Sequence, residues 1–249
     1  MNEIIKLLLL FSLGSVAGFI NVMAGGGSTL TLPVLIFLGL EGSLANGTNR
    51  VAILFQNLSA VISFKREKYE QFRLSLKLAV VTLPGAILGA LISVKISDEL
   101  FEKILAIVMM GIIITLIIPN SKKDLIKKNV TYNPWYVYPA LFGIGFYGGF
   151  IQAGVGFIIM ATLHHLMRLN LVHTNMHKVF IIFLYTIPAI IIFAVTKNIN
   201  WIYGLTLAGG MAFGAWWAAK LAVKKGEKIV RIILLFAILI MALKLLKVF

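Results

Sequence analysis

The stretch Gly18-Phe19-Ile20-Asn21-Val22-Met23-Ala24-Gly25-Gly26-Gly27-Ser28 breaks into a long apolar run and returns, altered, as Gly149-Phe150-Ile151-Gln152-Ala153-Gly154-Val155-Gly156. Thr48-Asn49 follows the first copy and Thr174-Asn175 the second, at spacings of 23 residues from Gly25 and 20 from Gly154. Two matching pairs in one order, on one hydropathy profile, mark an internal repeat. The chain therefore reads as a first half, 1–119, a polar linker, 120–133, carrying Lys122, Lys123, Lys127 and Lys128, and a second half, 134–249.

The surroundings of these breaks are apolar. Of 249 residues, 60% are hydrophobic and 13% charged, against about 25% charged in a soluble domain, and the mean hydropathy is +0.97. A water-soluble core could not hide that much apolar surface, whereas a lipid bilayer can face it. Apolar runs place helices at about 4–23, 28–40, 44–64, 72–94, 100–118, 135–152, 155–168, 172–196, 200–220 and 228–248. A full span takes about 20 residues; eight runs approach that, and the second and seventh do not. Both short runs directly follow a glycine cluster. Non-helical backbone at membrane depth is tolerated only where it is buried or lines a cavity, so each cluster with its short helix reads as an interrupted or re-entrant element. The expected fold is an all-α polytopic membrane protein, a two-repeat helical bundle of about eight full spans plus two short helices. The run within Met1–Met23 is longer than the roughly 7–15 residues of a signal-peptide core, so it reads as a retained helix.

Basic residues gather in cytoplasmic loops. Three breaks are strongly basic: Lys65, Arg66, Lys68, Arg73 and Lys77; the four linker lysines; and Lys220, Lys224, Lys225, Lys228 and Arg231. Placing all three inside puts Arg168 and Lys178 on the same side and leaves Lys6, Lys95, Lys103, Lys197, Lys244 and Lys247 outside. Both termini then lie outside. Five segments per half is an odd number, so the second half enters from the opposite face, giving an inverted-topology repeat of the kind that supports alternating access about a central site.

The polar residues that enter the apolar runs are neutral or positive, while all 9 acidic residues lie in loops or near segment ends. A cation transporter usually keeps a carboxylate within the membrane; a lining without one suits an anion. Candidate substrate-binding residues are Asn21, Gly25, Gly26, Gly27, Ser28, Thr48, Asn49 and Arg50 in the first half, and Gln152, Gly154, Gly156, Thr174, Asn175 and Lys178 in the second. The glycines are expected to leave the first N–H groups of the short helices free at their positive dipole ends, and glycine lets backbone approach a ligand closely. Simpler readings stand beside these. Glycines at helix junctions also serve close packing, Asn46 suits a cap for the third helix, and Arg50 or Lys178 could snorkel to an interface.

Other chemistries find little support. The net charge of +14 invites a nucleic-acid reading, but no basic soluble domain remains to provide it. The absence of cysteine removes disulfides, thiolate nucleophiles and Cys-based metal sites. His173 and His177 are four apart, a spacing that can bind zinc, yet no third ligand accompanies them, so no metal and no cofactor is expected. No G-x-S-x-G, H-E-x-x-H or nucleotide-loop pattern occurs, which argues against an enzyme.

The segment Gly18 to Pro33, followed by Gly47-Thr48-Asn49-Arg50-Val51, resembles the TauE/SafE family of sulfite and organosulfonate exporters. Gly145 to Phe157, with Thr174, Asn175 and Lys178, resembles that family's second repeat, except that Gly154-Val155-Gly156 replaces a run of three glycines. The resemblance implies a multi-pass protein of a bacterial or archaeal inner membrane that carries small sulfur-containing or carboxylated anions. The sequence thus leads to a secondary anion transporter working by alternating access. The alternative is a membrane subunit that moves nothing and binds a protein partner through its basic loops.

Overall fold

The computed structural model describes residues 2–69, 71–117 and 135–245, and among them the regular structure is helical throughout. In chain order the helices are α1 (Glu3–Ala24), α2 (Ser28–Phe37), α3 (Gly42–Arg66), α4 (Phe72–Ser93), α5 (Asp98–Ile117), α6 (Val137–Phe150), α7 (Val155–Ala161), α8 (Leu171–Val195) and α9 (Trp201–Leu245). A π-helical turn, Thr162–Leu166, continues α7. The basic linker expected at 120–133 lies outside the described residues.

Every expected apolar run is helical where described, with two differences. The last two runs join as α9, broken only at Gly226, whose φ of 69° and ψ of −164° leave the helical region. Helix α6 has 14 residues, about 21 Å at 1.5 Å per residue, where 135–152 was expected to span. It stops early because the backbone turns left-handed at Gln152, φ 69°. Helices α1, α4 and α8 are each long and apolar enough to cross a membrane. Their outward faces suit lipid. Helix α4 exposes Val80, Ile87, Leu88, Leu91 and Ile92 and turns Ser75, Ala79, Thr82, Gly85, Ala86 and Gly89 inward.

Local sequence explains the helix ends. Asn2 caps α1 by accepting from the Ile4 N–H, and Gly25, at φ 93°, closes it by donating to the Asn21 and Ile20 carbonyls. That left-handed closure is the geometry glycine provides without a Cβ penalty. Helix α3 begins at Gly42, where the Ser43 N–H donates to Asp98 Oδ1 at 2.8 Å. Asn46 therefore sits inside the helix, not at its cap; its amide donates to Ser93 Oγ and the Phe150 carbonyl.

Small residues set the helix pairing. Gly14 and Gly18 of α1 face the backbone of Leu207 and Met211 in α9, while Gly210 and Gly214 of α9 face Phe11 and Ser15 in α1. The same device joins α4 to α6: Gly85 and Gly89 meet Phe142 and Phe146, and Gly145 and Gly149 meet Thr82 and Ala86. Glycines four apart on both partners let backbones come within van der Waals contact, which drives association where lipid removes the hydrophobic incentive. Helix α3 also lies along α9, with Ser59 and Ser63 hydroxyls donating to the Ala212 and Trp216 carbonyls, and α4 lies along α8. Two groups result, α1/α3/α9 and α4/α6/α8, which meet chiefly through α3 and α8. Each group draws helices from both halves of the chain.

A Cβ placed at Gly18 or Gly149 would collide with the backbone of the facing helix, whereas nothing lies within 4 Å at Gly143. Gly18→Val and Gly149→Val are each expected to cost about 1–3 kcal/mol or more by overpacking. Gly143→Ala should hold or raise stability, because alanine suits a helix interior better than glycine. Thermal unfolding of the purified protein in detergent checks both.

Candidate functional site

The two glycine breaks meet at the centre of the molecule. A Cβ added at Gly156 would lie 2.5 Å from the Gly25 Cα and 2.6 Å from its carbonyl oxygen, and one at Gly26 would run into the Phe157 ring. Nothing larger than glycine fits at Gly25 or Gly156. Gly154, at φ 70°, forms the left-handed entrance to α7.

Two cations flank this contact, and both are buried: Arg50 is 0% and Lys178 1% exposed. Neither snorkels. Arg50, on α3, donates through its two terminal nitrogens to the Gly148 carbonyl at 3.1 Å and the Gly149 carbonyl at 2.5 Å, and its guanidinium lies 4.7 Å from the centre of the Phe193 ring. Its Nε has no partner. Lys178, on α8, donates to the Asn21 carbonyl at 2.9 Å, the Val22 carbonyl at 2.7 Å and Asn175 Oδ1 at 2.8 Å. Both cations thus sit on the last-turn carbonyls of a helix that ends at a glycine break, Arg50 on α6 and Lys178 on α1. These are among the carbonyls a helix end leaves short of partners, although the Asn21 carbonyl also accepts from the Gly25 N–H at 2.8 Å, and they carry the negative end of the helix dipole. Neither α1 nor α6 has a basic residue in its own last turn; the other half supplies it. The ion pairs among the described residues, Lys6–Glu3 and Lys103–Glu99, lie elsewhere.

Asn21 organises the first break. Its Oδ1 accepts from the Gly27 N–H at 3.1 Å and its Nδ2 donates to Gln56 Oε1 at 2.8 Å. The expectation of several free N–H groups at the start of α2 is met only in part. The Gly27 N–H is taken by Asn21, and those of Thr29, Leu30 and Thr31 return to the Gly26 and Gly27 carbonyls. At the second break the Phe157 N–H bonds the Gly154 carbonyl at 3.0 Å.

The expected residues separate into two sets. Asn21, Gly25, Gly26, Gly27, Gly156, Asn175 and Lys178 converge, with Asn175 Nδ2 reaching the Met23 carbonyl at 3.5 Å. Ser28 is buried at the start of α2. Asn49 joins them through Thr31, whose hydroxyl donates to Asn49 Oδ1 at 2.6 Å, leaving Asn49 Nδ2 without a partner. Gln152 accepts from the Tyr185 hydroxyl at 3.2 Å. The threonines do other work: Thr48 Oγ1 accepts from the Asn200 N–H beside α9, and Thr174 lies within reach of the Leu169 carbonyl at the start of its own helix. Sequence reasoning missed Thr31, Tyr185 and Phe193, whose roles depend on tertiary neighbours. It also missed the Gly148 and Gly149 carbonyls, because backbone groups leave no mark in a residue pattern.

A helical bundle with lipid-suited faces, two buried cations at its centre and no buried carboxylate among the described residues is a multi-pass membrane protein. The family model described as "Sulfite exporter TauE/SafE" matches residues 10–245, and the chain belongs to that family. It is 29% identical over 226 residues to a Haemophilus influenzae protein described as "Probable membrane transporter protein", covering 90% of this chain and 88% of the relative. A Sinorhizobium protein, "Probable membrane transporter protein ORF9", is 27% identical over 238 residues, covering 95% and 91%. The Escherichia coli protein "Probable membrane transporter protein YfcA" is 26% identical over 237 residues, covering 95% and 88%. No solved structure matches the chain significantly.

Replacing Lys178 by Met keeps much of the volume and removes the donor to two α1 carbonyls and Asn175. Each buried acceptor left unpaired costs about 1–3 kcal/mol, so Lys178→Met should unfold at a clearly lower temperature than the wild type in detergent. An unchanged midpoint would show that the α1 end does not need this cap.

Proposed function

We propose that this chain is a secondary transporter of small anions, built from two halves of inverted topology, with long spanning helices and the short broken helices α2, α6 and α7 meeting between them. The observation that carries the reading is the pair of buried cations held by backbone carbonyls, with no carboxylate beside them among the described residues. A cation neutralised by a carboxylate has little left to offer a passing ion. A cation resting on helix-end carbonyls keeps a net positive charge, and an arriving oxyanion offers it a stronger, charge-assisted hydrogen bond. Asn49 Nδ2 and Arg50 Nε, both buried and unpartnered, are further donors beside the same breaks.

Two features support alternating access. Arg50 belongs to the α1/α3/α9 group and bonds α6; Lys178 belongs to the α4/α6/α8 group and bonds α1. Both cations therefore bridge the two helix groups. When an anion takes over one cation, the bridge it made is released, and the groups can rock about the Gly25–Gly156 contact. In this mechanism Asn21, Gly25, Gly26, Gly27, Ser28, Asn49, Gln152, Gly154, Gly156 and Asn175 shape the midplane site and Arg50 and Lys178 supply its charge. Thr48 and Thr174 join it only after rearrangement, since their hydroxyls face other groups in this conformation.

Sulfite and small organosulfonates are the first substrates to test, given the description the family carries. The chain would sit in a cell inner membrane with both termini outside, its basic loops on the cytoplasmic face.

The experiment is anion flux in proteoliposomes, with sulfite and a short alkylsulfonate as probes. The wild type should move at least one of them faster than protein-free vesicles do. Arg50→Ala combined with Lys178→Ala should lose most of that flux, about tenfold or more. Flux that survives intact in the double variant removes the two cations from the mechanism. A folded wild type that moves no anion, yet copurifies with a stable protein partner, would favour the non-transporting subunit.

A further inference from the structure

Where α1 and α9 lie side by side, their outer faces leave an apolar groove of about 350 Å³, within the size range of a small-molecule site. Val16, Phe19 and Ile20 of α1 and Phe213, Gly214 and Trp217 of α9 line it. Ser15 touches it too, but the Ser15 hydroxyl turns back to donate to the Phe11 carbonyl at 3.0 Å. Val16, Phe213 and Trp217 are exposed, so the groove opens to the surroundings of the bundle. The two helices run parallel, since Gly210 faces Phe11 and Ser15 while Gly214, one turn on, faces Ser15 and Phe19.

The face of α9 that lines this groove changes character along its length. Phe213, Trp217, Lys220 and Lys224 follow one another at intervals of 4, 3 and 4 residues, so they share one side of the helix. Lys220 Nζ lies 5.2 Å from the centre of the Trp217 ring, within the roughly 6 Å reach of a cation–π contact. The ion pairs among the described residues involve neither Lys220 nor Lys224. Helix α3 closes at the same end of α9, its Ser63 hydroxyl on the Trp216 carbonyl. Over 65–70 and 220–228 the sequence holds 7 basic residues against Glu67, Glu70 and Glu227, so positive charge dominates. Depth agrees with this order. Trp201 and Trp217 are both about half exposed, as anchors at the two membrane interfaces are. From Trp201 to Lys220 the helix rises roughly 28 Å at 1.5 Å per residue, close to the ~30 Å of a hydrocarbon core.

We propose that this groove binds one anionic phospholipid, with an acyl chain between Val16 and Phe213 and the headgroup phosphate on Lys220 and Lys224. The inference stands on the membrane fold and is independent of what the chain transports. The apolar lining suits a hydrocarbon chain, and Trp217 sits where chain gives way to headgroup. The lysines come next along the same face, where basic side chains attract anionic lipid. A second copy of the chain fits this face less well. A two-fold axis along the membrane normal brings equal depths together, which would set Lys220 and Lys224 against their own copies. The contact of Lys220 with Trp217 holds the ammonium at the mouth of the groove, so the headgroup meets a cation already in place.

The chain has 4 tryptophans, so Trp135→Phe, Trp201→Phe and Trp216→Phe together leave Trp217 as the single fluorophore. The probes are phosphatidylglycerol and phosphatidylcholine with brominated acyl chains, which quench tryptophan on contact. The full chain is reconstituted in phosphatidylcholine vesicles containing increasing fractions of each. The expected result is that phosphatidylglycerol binds beside Trp217 about fivefold or more tightly than phosphatidylcholine, the worth of a single lysine at an anionic surface. Lys220→Gln with Lys224→Gln should bring the ratio to about one. Val16→Phe, which fills the groove and leaves the charges alone, should weaken the anionic lipid about threefold by excluding its chain. Where the triple phenylalanine protein fails to fold, native mass spectrometry of the otherwise wild-type chain in detergent makes the same comparison with the same lipids and the same Lys and Val16 variants. Equal binding of the two lipids overturns the proposal, as does a preference that the lysine pair leaves unchanged. A preference lost with the lysines yet untouched by Val16→Phe overturns it too, since the charges would then act without the groove. So does a Trp217 that neither lipid quenches, the result expected if a second copy covers this face.

Discussion

Positive charge buried within an apolar bundle, with no carboxylate among the described residues to neutralise it, is the constraint around which this structure is arranged. A lysine or arginine at the middle of a membrane helix costs about 2.5–3.5 kcal/mol on insertion scales. The chain offsets that cost with backbone. Helix ends leave carbonyls without partners, and in lipid no water is present to satisfy them. Arg50 and Lys178 and the last turns of α6 and α1 therefore solve each other's problem. A cation at a helix C-terminus contributes up to about 2 kcal/mol where partly buried.

This arrangement requires that helices end inside the molecule, and the glycine breaks make them end there. It also requires that the two breaks touch, which Gly25 and Gly156 allow by having no side chain. The helices carrying the cations must then reach across to the opposite half, and the reciprocal glycine contacts of α1 with α9 and of α4 with α6 hold that exchange in register. The pairing has a consistent pattern: the first helix of each half lies against the fourth segment of the other. Intertwined in this way, neither half has its buried charge satisfied alone. In the proposed mechanism the bonds that stabilise the centre are the ones an anion would compete for, so stability and transport would draw on one set of contacts.

Much of the fold was legible because hydropathy and glycine act locally. Apolar runs set the helices, and the clusters at Gly25–Gly27 and Gly154–Gly156 located both breaks. The paired Thr-Asn motifs led to Arg50 and Lys178, though the reason for interest was only partly right: Asn49 and Asn175 face the centre, while Thr48 and Thr174 brace helix starts. The simpler reading of Asn46 as a cap fails because the start of α3 is capped by Asp98, 55 residues beyond the Ser43 N–H it accepts from. The early end of α6 depends on a left-handed backbone at Gln152, a conformation glutamine does not advertise. The acceptors of the two cations stayed hidden because they are main-chain carbonyls, identical at every position until the fold selects four of them.

In the proposed mechanism these cations are available to a diffusible anion. The most direct measurement is the thermal unfolding midpoint of the purified protein against a concentration series of sulfite, alkylsulfonates, sulfate and small carboxylates, each at fixed ionic strength. A ligand that binds only the folded state stabilises it by about 2.7 kcal/mol at one hundred times its dissociation constant. The account predicts a saturable rise with at least one of these anions, and the loss of that rise when Arg50 and Lys178 are both replaced by Gln. No shift with any of them, or a saturable shift that persists unchanged in the double variant, would contradict it.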